Sequence, residues 1–438
     1  MLPTMRCTPA ALLFALVIAT PGACGGDPPA GGGDGLAPLD SAAPVDTTTA
    51  ADTGAPEVAD DTAAPTPTPL AGQSFGAPQA WATPIADYLA AGEAEVKSLA
   101  FLRGIHDLAS YEGQLYLGFG DANLNLGRIF PIDFRAFTDP SDATAHGELV
   151  TDEEQLDRYR RVGPDLLMAG VDATEDAWLG NVYRRTPEAG WVKHRTVQNG
   201  VHVHDVAGFQ GAIYAVGSGA TPEQWGAGDI YGHLWRSSDT LASWDIVAQV
   251  HNEGTGDSRL TRLLAFDDAL WAFGYRTNAE GLIDLLPHGA WDGAAFTLLP
   301  TDHALASVYV IETDRVGPRR GLVRGRDFGV SPSVQRAWWF APDATATLIA
   351  AFDGLTVVDV DVVEATGELL ALTVDGADWR PDAPGEKRVR AWVTAAEGDA
   401  WSEVFDLRTY IPPKSIAWWR GAIYLGTDTG EVWRAVAE

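Results

Sequence analysis

The chain has 438 residues, with 60 acidic against 30 basic side chains and a formal net charge of −30. A field of that sign repels phosphate backbones and anionic headgroups, which argues against nucleic acid as a partner and leaves solubility as the plain use of the charge. Both cysteines, Cys7 and Cys24, lie near the N-terminus, so the rest of the chain offers no disulfide and no thiolate metal site, and it is long enough to bury a core without either.

Residues 1–23 read as a signal peptide. Arg6 supplies a positive start, and the apolar run Ala10–Ala19 is too short to span a bilayer permanently. Pro21-Gly22-Ala23-Cys24 resembles the lipobox of bacterial lipoproteins, with Pro21 where that family prefers Leu. The resemblance implies that Cys24 is lipidated and becomes the new N-terminus. The protein would then sit in the cell envelope as an outer-membrane lipoprotein, touching the membrane through its anchor alone. The alternative is a plain cleaved signal and a secreted or periplasmic protein.

Residues 24–75 form a Gly/Ala/Pro/Thr/Asp-rich stretch whose acids, from Asp27 to Asp61, have no basic counterpart. Such a segment buries too little apolar surface to offset its ordering entropy, so a disordered acidic linker is expected.

From residue 76 to 438 the sequence repeats itself. Glu112-Gly-Gln-Leu-Tyr-Leu-Gly118, Gln210-Gly-Ala-Ile-Tyr-Ala-Val-Gly217 and Arg420-Gly-Ala-Ile-Tyr-Leu-Gly426 nearly superpose, and Asp267-Asp-Ala-Leu-Trp-Ala-Phe-Gly274 fits with Asp268 in place of glycine. Weaker copies bring the equivalent positions to Tyr116, Leu167, Tyr214, Trp271, Leu322, Leu370 and Tyr424, a period of about fifty residues. A second motif, Gly127-Arg-Ile-Phe, Gly180-Asn-Val-Tyr, Gly232-His-Leu-Trp and Gly430-Glu-Val-Trp, starts a further strand, and an aromatic such as Trp191 or Trp244 often opens the last. Four short antiparallel strands per unit predict an all-β fold, a β-propeller of seven four-stranded blades, with six or eight as the alternatives. No helical period is sustained in this part of the chain. The last unit supplies three strands, so a strand around Glu95–Phe101 is expected to close the ring.

Ser237-Ser-Asp239-Thr-Leu-Ala-Ser243-Trp244 resembles the Asp-box of sialidase-like propellers, with Leu241 for its glycine and Ser243 for its threonine. In that family the box is a structural turn between the third and fourth strands of a blade, so the resemblance implies the fold and no chemistry.

His106-Asp107 and His204-Asp205 share one slot, ten residues before Tyr116 and Tyr214; Thr261-Arg262 and Lys414-Ser415 occupy it in two further units, and His202 shares a face with His204. First strands line a propeller channel, so these groups are expected at its mouth. They could form a ligand pocket, or they could satisfy backbone groups of neighbouring blades. Asp121-Ala-Asn123-Leu-Asn125 has calcium-loop spacing, but Leu126 and Ile132 stand where a helix-loop-helix site needs Gly and Glu; a local turn is the other reading.

No catalytic motif is recognisable. The reading is a monomeric, non-catalytic binding propeller that presents a polar channel mouth to a small molecule, glycan or protein, with no cofactor other than a calcium ion at that loop. The alternative is a carbohydrate-active hydrolase or lyase of sialidase-like fold.

Overall fold

The computed structural model describes residues 69–96, 104–121, 130–175, 178–238, 240–251, 256–278, 281–331, 333–364, 366–376, 385–395, 398–411 and 413–438. Seven antiparallel sheets follow one another along the chain, each starting with its innermost strand. Blade 1 comprises Asp107–Tyr111, Gln114–Gly118, Asp133–Phe137 and His146–Val150. Blade 2 comprises Tyr159–Val162, Asp165–Ala169, Leu179–Thr186 and Gly190–Gln198, and blade 3 Gly200–Phe209, Ala212–Gly219, Tyr231–Ser237 and Trp244–Val250. Blade 4 is built from Ser258–Ala265, Leu270–Thr277, Gly289–Trp291 and Phe296–Leu298, with Ile283–Leu285 as an extra strand on its second. Blade 5 holds Val308–Gly317, Arg320–Asp327, Val334–Phe340 and Ala346–Leu348; blade 6 holds Leu355–Val363, Glu368–Asp375, Lys387–Thr394 and Ser402–Thr409. Blade 7 takes Pro413–Trp419, Ala422–Thr427 and Val432–Val436 from the C-terminal end of the chain.

The repeated x-Gly pair is the turn between first and second strands. Glu112-Gly113, Gln210-Gly211 and Arg420-Gly421 all have positive φ at both positions, the two-residue turn whose twist matches the flanking strands. The aligned apolar residues that follow are buried, and aromatic side chains fill the wedges between blades; Phe134 of blade 1 stacks on Trp191 of blade 2 at 3.7 Å.

The closing strand is not at residues 95–101. Gln79–Ala82 pairs with Val432–Val436 and completes blade 7, because it delivers Trp81 into an aromatic gap against Phe137 of blade 1 at 4.5 Å and Tyr424 of blade 7 at 5.1 Å. Glu95 and Val96 instead end an 11-residue helix, α1, Ala86–Val96, and residues 97–101 lie outside the described residues. A second helix, α2, Pro222–Ala227, carries a capping box on Thr221 and Gln224.

The folded part also begins before residue 76. Leu70 is fully buried, and the Glu368 carboxylate accepts the backbone N–H groups of Leu70 at 2.7 Å and Ala71 at 2.8 Å. Phe75 is buried edge-on to Trp418 and bridges Ala437. The signal sequence and most of the linker lie outside the described residues.

Candidate functional site

The slot shared by the predicted residues is a β-bulge. The pairing of first and second strands shifts register at His204, Thr261, Ile311, Val358 and Lys414, and His106 takes the corresponding place beside blade 1. A bulge leaves one residue unpaired and re-aims its side chain, which is why this position carries such varied chemistry.

The next residue in each blade is Asp107, Arg158, Asp205, Arg262, Glu312, Asp359 or Ser415, and these form a buried polar belt. Asp107 Oδ2 accepts the N–H of Tyr159 in blade 2 at 2.9 Å. Asp205 does the same for Leu263 of blade 4 at 2.9 Å, and Asp359 for Ile416 of blade 7 at 2.8 Å. Arg262 Nε donates to the Ile311 carbonyl of blade 5 at 2.6 Å, and Ser415 Oγ donates to the Ile105 carbonyl at 2.9 Å. Asp107, Asp205 and Arg262 are therefore ties between successive blades, each satisfying a backbone group that the ring would otherwise bury unpaired.

Three guanidinium groups then cross the channel. Arg158 of blade 2 reaches Glu312 and Asp314 of blade 5, the latter at 2.6 Å. Arg160 of blade 2 holds Asp205 through two bonds of 2.7 Å and donates to the Thr313 carbonyl at 2.7 Å. Arg262 of blade 4 bonds Asp157 at 3.0 Å. Burial pushes the Asp107 carboxyl up to about 7 and that of Asp359 to about 6, even with Arg158 beside both. The plug of arginines and carboxylates divides the channel into two mouths.

On the face of the tight turns the mouth opens into a cavity of about 1330 Å³, lined among others by Asp107, Arg160, Asp314, Asp361, Trp418 and Arg420. The predicted histidines are not there. Inner strands all run toward that face, so residues at their starts lie at the other mouth, where second strands pass to third through long connections such as 170–178 and 220–230.

At this loop face the structure gathers part of the predicted set. The His202 and His204 rings stack 5.8 Å apart, and His202 Nδ1 lies 2.8 Å from Ser218 Oγ. Burial and the nearby charges of Arg259 and Arg262 drive His204 down to about 3, which keeps its imidazole neutral, and its buried Nε2 has no protein partner. Arg259 donates weakly to Asp257 at 3.3 Å and leaves its buried Nε without a protein partner. Its cross-strand neighbour Tyr275 packs edge-to-face on Tyr309 at 5.5 Å.

The other predicted residues are engaged elsewhere. His106 Nε2 lies 2.8 Å from the Leu156 carbonyl, Thr261 Oγ1 donates to the Phe273 carbonyl at 3.4 Å, and Lys414 pairs with Asp428. Asp121 is buried, whereas Asn123 and Asn125 lie outside the described residues. Asp239 also lies outside them; of the residues around it, Leu241 has φ +57° between the third and fourth strands of blade 3, and Trp244 Nε1 donates to Thr196 Oγ1 at 3.1 Å.

Sequence reading missed the two tryptophans of this face. Trp225, on α2, is 43% exposed and meets Trp178 edge-to-face at 6.2 Å. Trp178 has φ +88°, a conformation that a bulky side chain rarely adopts. Its carbonyl accepts the Asn199 N–H at 2.8 Å, three residues before His202 in the chain. Arg259 was within reach of the sequence, as it lies two residues before Thr261 on the same strand.

No family model and no curated protein matches this chain. Solved structures similar to it include the β-propeller domain of the Trilobed protease from Pyrococcus furiosus, at 8% identity and a TM-score of 0.44 over 76% of this chain and 93% of that one. A catalytically inactive virginiamycin B lyase from Staphylococcus aureus with quinupristin is 11% identical, with a TM-score of 0.41 over 77% and 96%. A polysaccharide lyase described as an ulvan lyase is 10% identical, with a TM-score of 0.42 over 77% and 95%. These likenesses concern the propeller fold alone.

Proposed function

We propose that this chain is an exported, non-catalytic binding propeller, held in the cell envelope through Cys24, that takes a glycan on its loop face. The observation that carries the reading is the exposed Trp225 against Trp178, on the same face of the ring as a buried imidazole nitrogen and a buried guanidinium N–H that have no protein partner. A sugar ring offers an apolar C–H face to an indole. Its hydroxyls both donate and accept, the two roles that a neutral imidazole nitrogen and a guanidinium N–H call for. The neutral state of His204 suits an uncharged partner. Non-catalytic binding is supported by the use made of the channel acids: Asp107, Asp205 and Asp359 are already engaged as ties between blades.

The test is a glycan screen on the full chain, followed by titration of the best binder. Trp225→Ala should weaken that binding about tenfold, the worth of a truncated aromatic anchor. Shortened or unsaturated sugar products appearing on incubation would contradict the non-catalytic reading in favour of a hydrolase or lyase.

A further inference from the structure

Away from the channel, on the turn face, blades 3 and 4 leave another cavity of about 420 Å³ between them. Two turns border it: Gln210 belongs to the tight turn of blade 3, and Gly293 and Ala294 to the turn between the third and fourth strands of blade 4. The turns meet closely, since Gln210 Oε1 lies 3.5 Å from where a Cβ on Gly293 would stand. Tyr214 and Arg236 are direct cross-strand partners in blade 3, so their side chains share one face, and Tyr214 packs there with Trp291 of blade 4. Trp291 and Val247 add apolar walls.

The polar groups of this lining are uncommitted. Tyr214 is 3% exposed, and among the described residues its hydroxyl has no hydrogen-bond partner. Arg236 is exposed and makes no ion pair with any of them, Asp245 opposite it on the fourth strand included. Asp292, beside Gly293, turns its Oδ1 onto the N–H groups of Ala294 and Ala295, both at 2.8 Å. In a chain with 60 acids against 30 bases, a lone guanidinium thus faces a cavity with no carboxylate among its described lining residues.

We propose that this cleft is a second binding site, for a small monoanionic carboxylate carried on a flat apolar body. The charge follows from the lining: Arg236 is its single charged group, and Tyr214 and Gln210 add neutral donors. A planar guanidinium matches a carboxylate through two parallel N–H donors, whereas a doubly charged anion would meet one cation within a field of net charge −30. The apolar body follows from the rings of Tyr214 and Trp291 and from Val247, and the volume is that of a small-molecule pocket. The site lies on the face opposite Trp225 and does not depend on the glycan proposed there.

The experiment titrates the full chain by calorimetry with benzoate, with benzamide as its uncharged counterpart, and with inorganic phosphate. Benzoate should bind saturably in the millimolar range, and the other two at least about tenfold more weakly. Arg236→Gln should weaken benzoate about tenfold and melt with the parent, because the side chain is exposed and unpaired. Tyr214→Phe should weaken benzoate severalfold yet melt no lower than the parent without ligand, since the hydroxyl it removes has no partner to lose. Trp225→Ala should bind benzoate as the parent does. No saturable binding up to about 10 mM benzoate overturns the proposal, as does parental affinity in Arg236→Gln. Benzamide binding as well as benzoate would overturn the charge recognition, and phosphate binding as well would overturn the apolar body. Loss of benzoate binding in Trp225→Ala would place it on the loop face and overturn the cleft.

Discussion

Asp205 and His204 are neighbours in the chain and opposites in role. Asp205 accepts the Leu263 N–H and both bonds of Arg160, and it is almost wholly buried. Its removal strands a buried guanidinium and a backbone donor at once, so Asp205→Ala should cost about 3–5 kcal/mol in a urea unfolding experiment. His204 presents an Nε2 that nothing in the protein holds, and His204→Ala should change the same midpoint little while weakening ligand binding. A His204→Ala variant that unfolds as easily as Asp205→Ala would make both residues structural. The pair shows what the sequence could and could not say: the recurrent His-Asp dipeptide marks equivalent places in two blades, but only the three-dimensional contacts separate a tie between blades from a group facing a mouth.

At the scale of strands and turns, the parts written in local chemistry were legible. The x-Gly turns demand positive φ at two successive residues, and so recur as identical dipeptides; the apolar alternation after them repeats because every blade buries the same faces. The closing strand was not legible, since Gln79–Ala82 is specified by an aromatic gap formed by blades 1 and 7, which no local pattern reveals. Trp178 and Trp225 were hidden for a similar reason, because their exposure depends on how two connections fold. The N-terminal strap depends on a remote contact as well. Glu368 clamps Leu70 and Ala71, so limited proteolysis of the parent should leave a core starting near residue 69. Glu368→Ala should open new cuts within residues 70–75. Cleavage there in the parent would show that the clamp does not hold.

The whole molecule has a predictable response to pH. Burial pushes Asp107 and Asp361 up to about 7 and Asp359 to about 6, well above their range in an unfolded chain. The folded state then binds more protons than the unfolded state between about pH 4 and pH 7. The stability these groups contribute is complete below about pH 4 and is lost as pH rises through 6 to 7. Their contribution makes the urea midpoint fall across that window. Asp361→Asn, whose amide oxygen can still accept the Trp418 N–H, should flatten the fall; an unchanged slope would show that Asp361 does not titrate there.

The arginines Arg158, Arg160 and Arg262 separate two unlike mouths of the propeller, and the proposed ligand sits at one of them. The most direct test titrates one glycan, taken from the screen, against the full chain, Trp225→Ala on the loop face and Arg420→Ala on the rim of the turn-face cavity. Binding is expected to be about tenfold weaker for Trp225→Ala and at parental affinity for Arg420→Ala. Parental affinity for Trp225→Ala with loss in Arg420→Ala would place the ligand in the 1330 Å³ cavity and contradict the assignment.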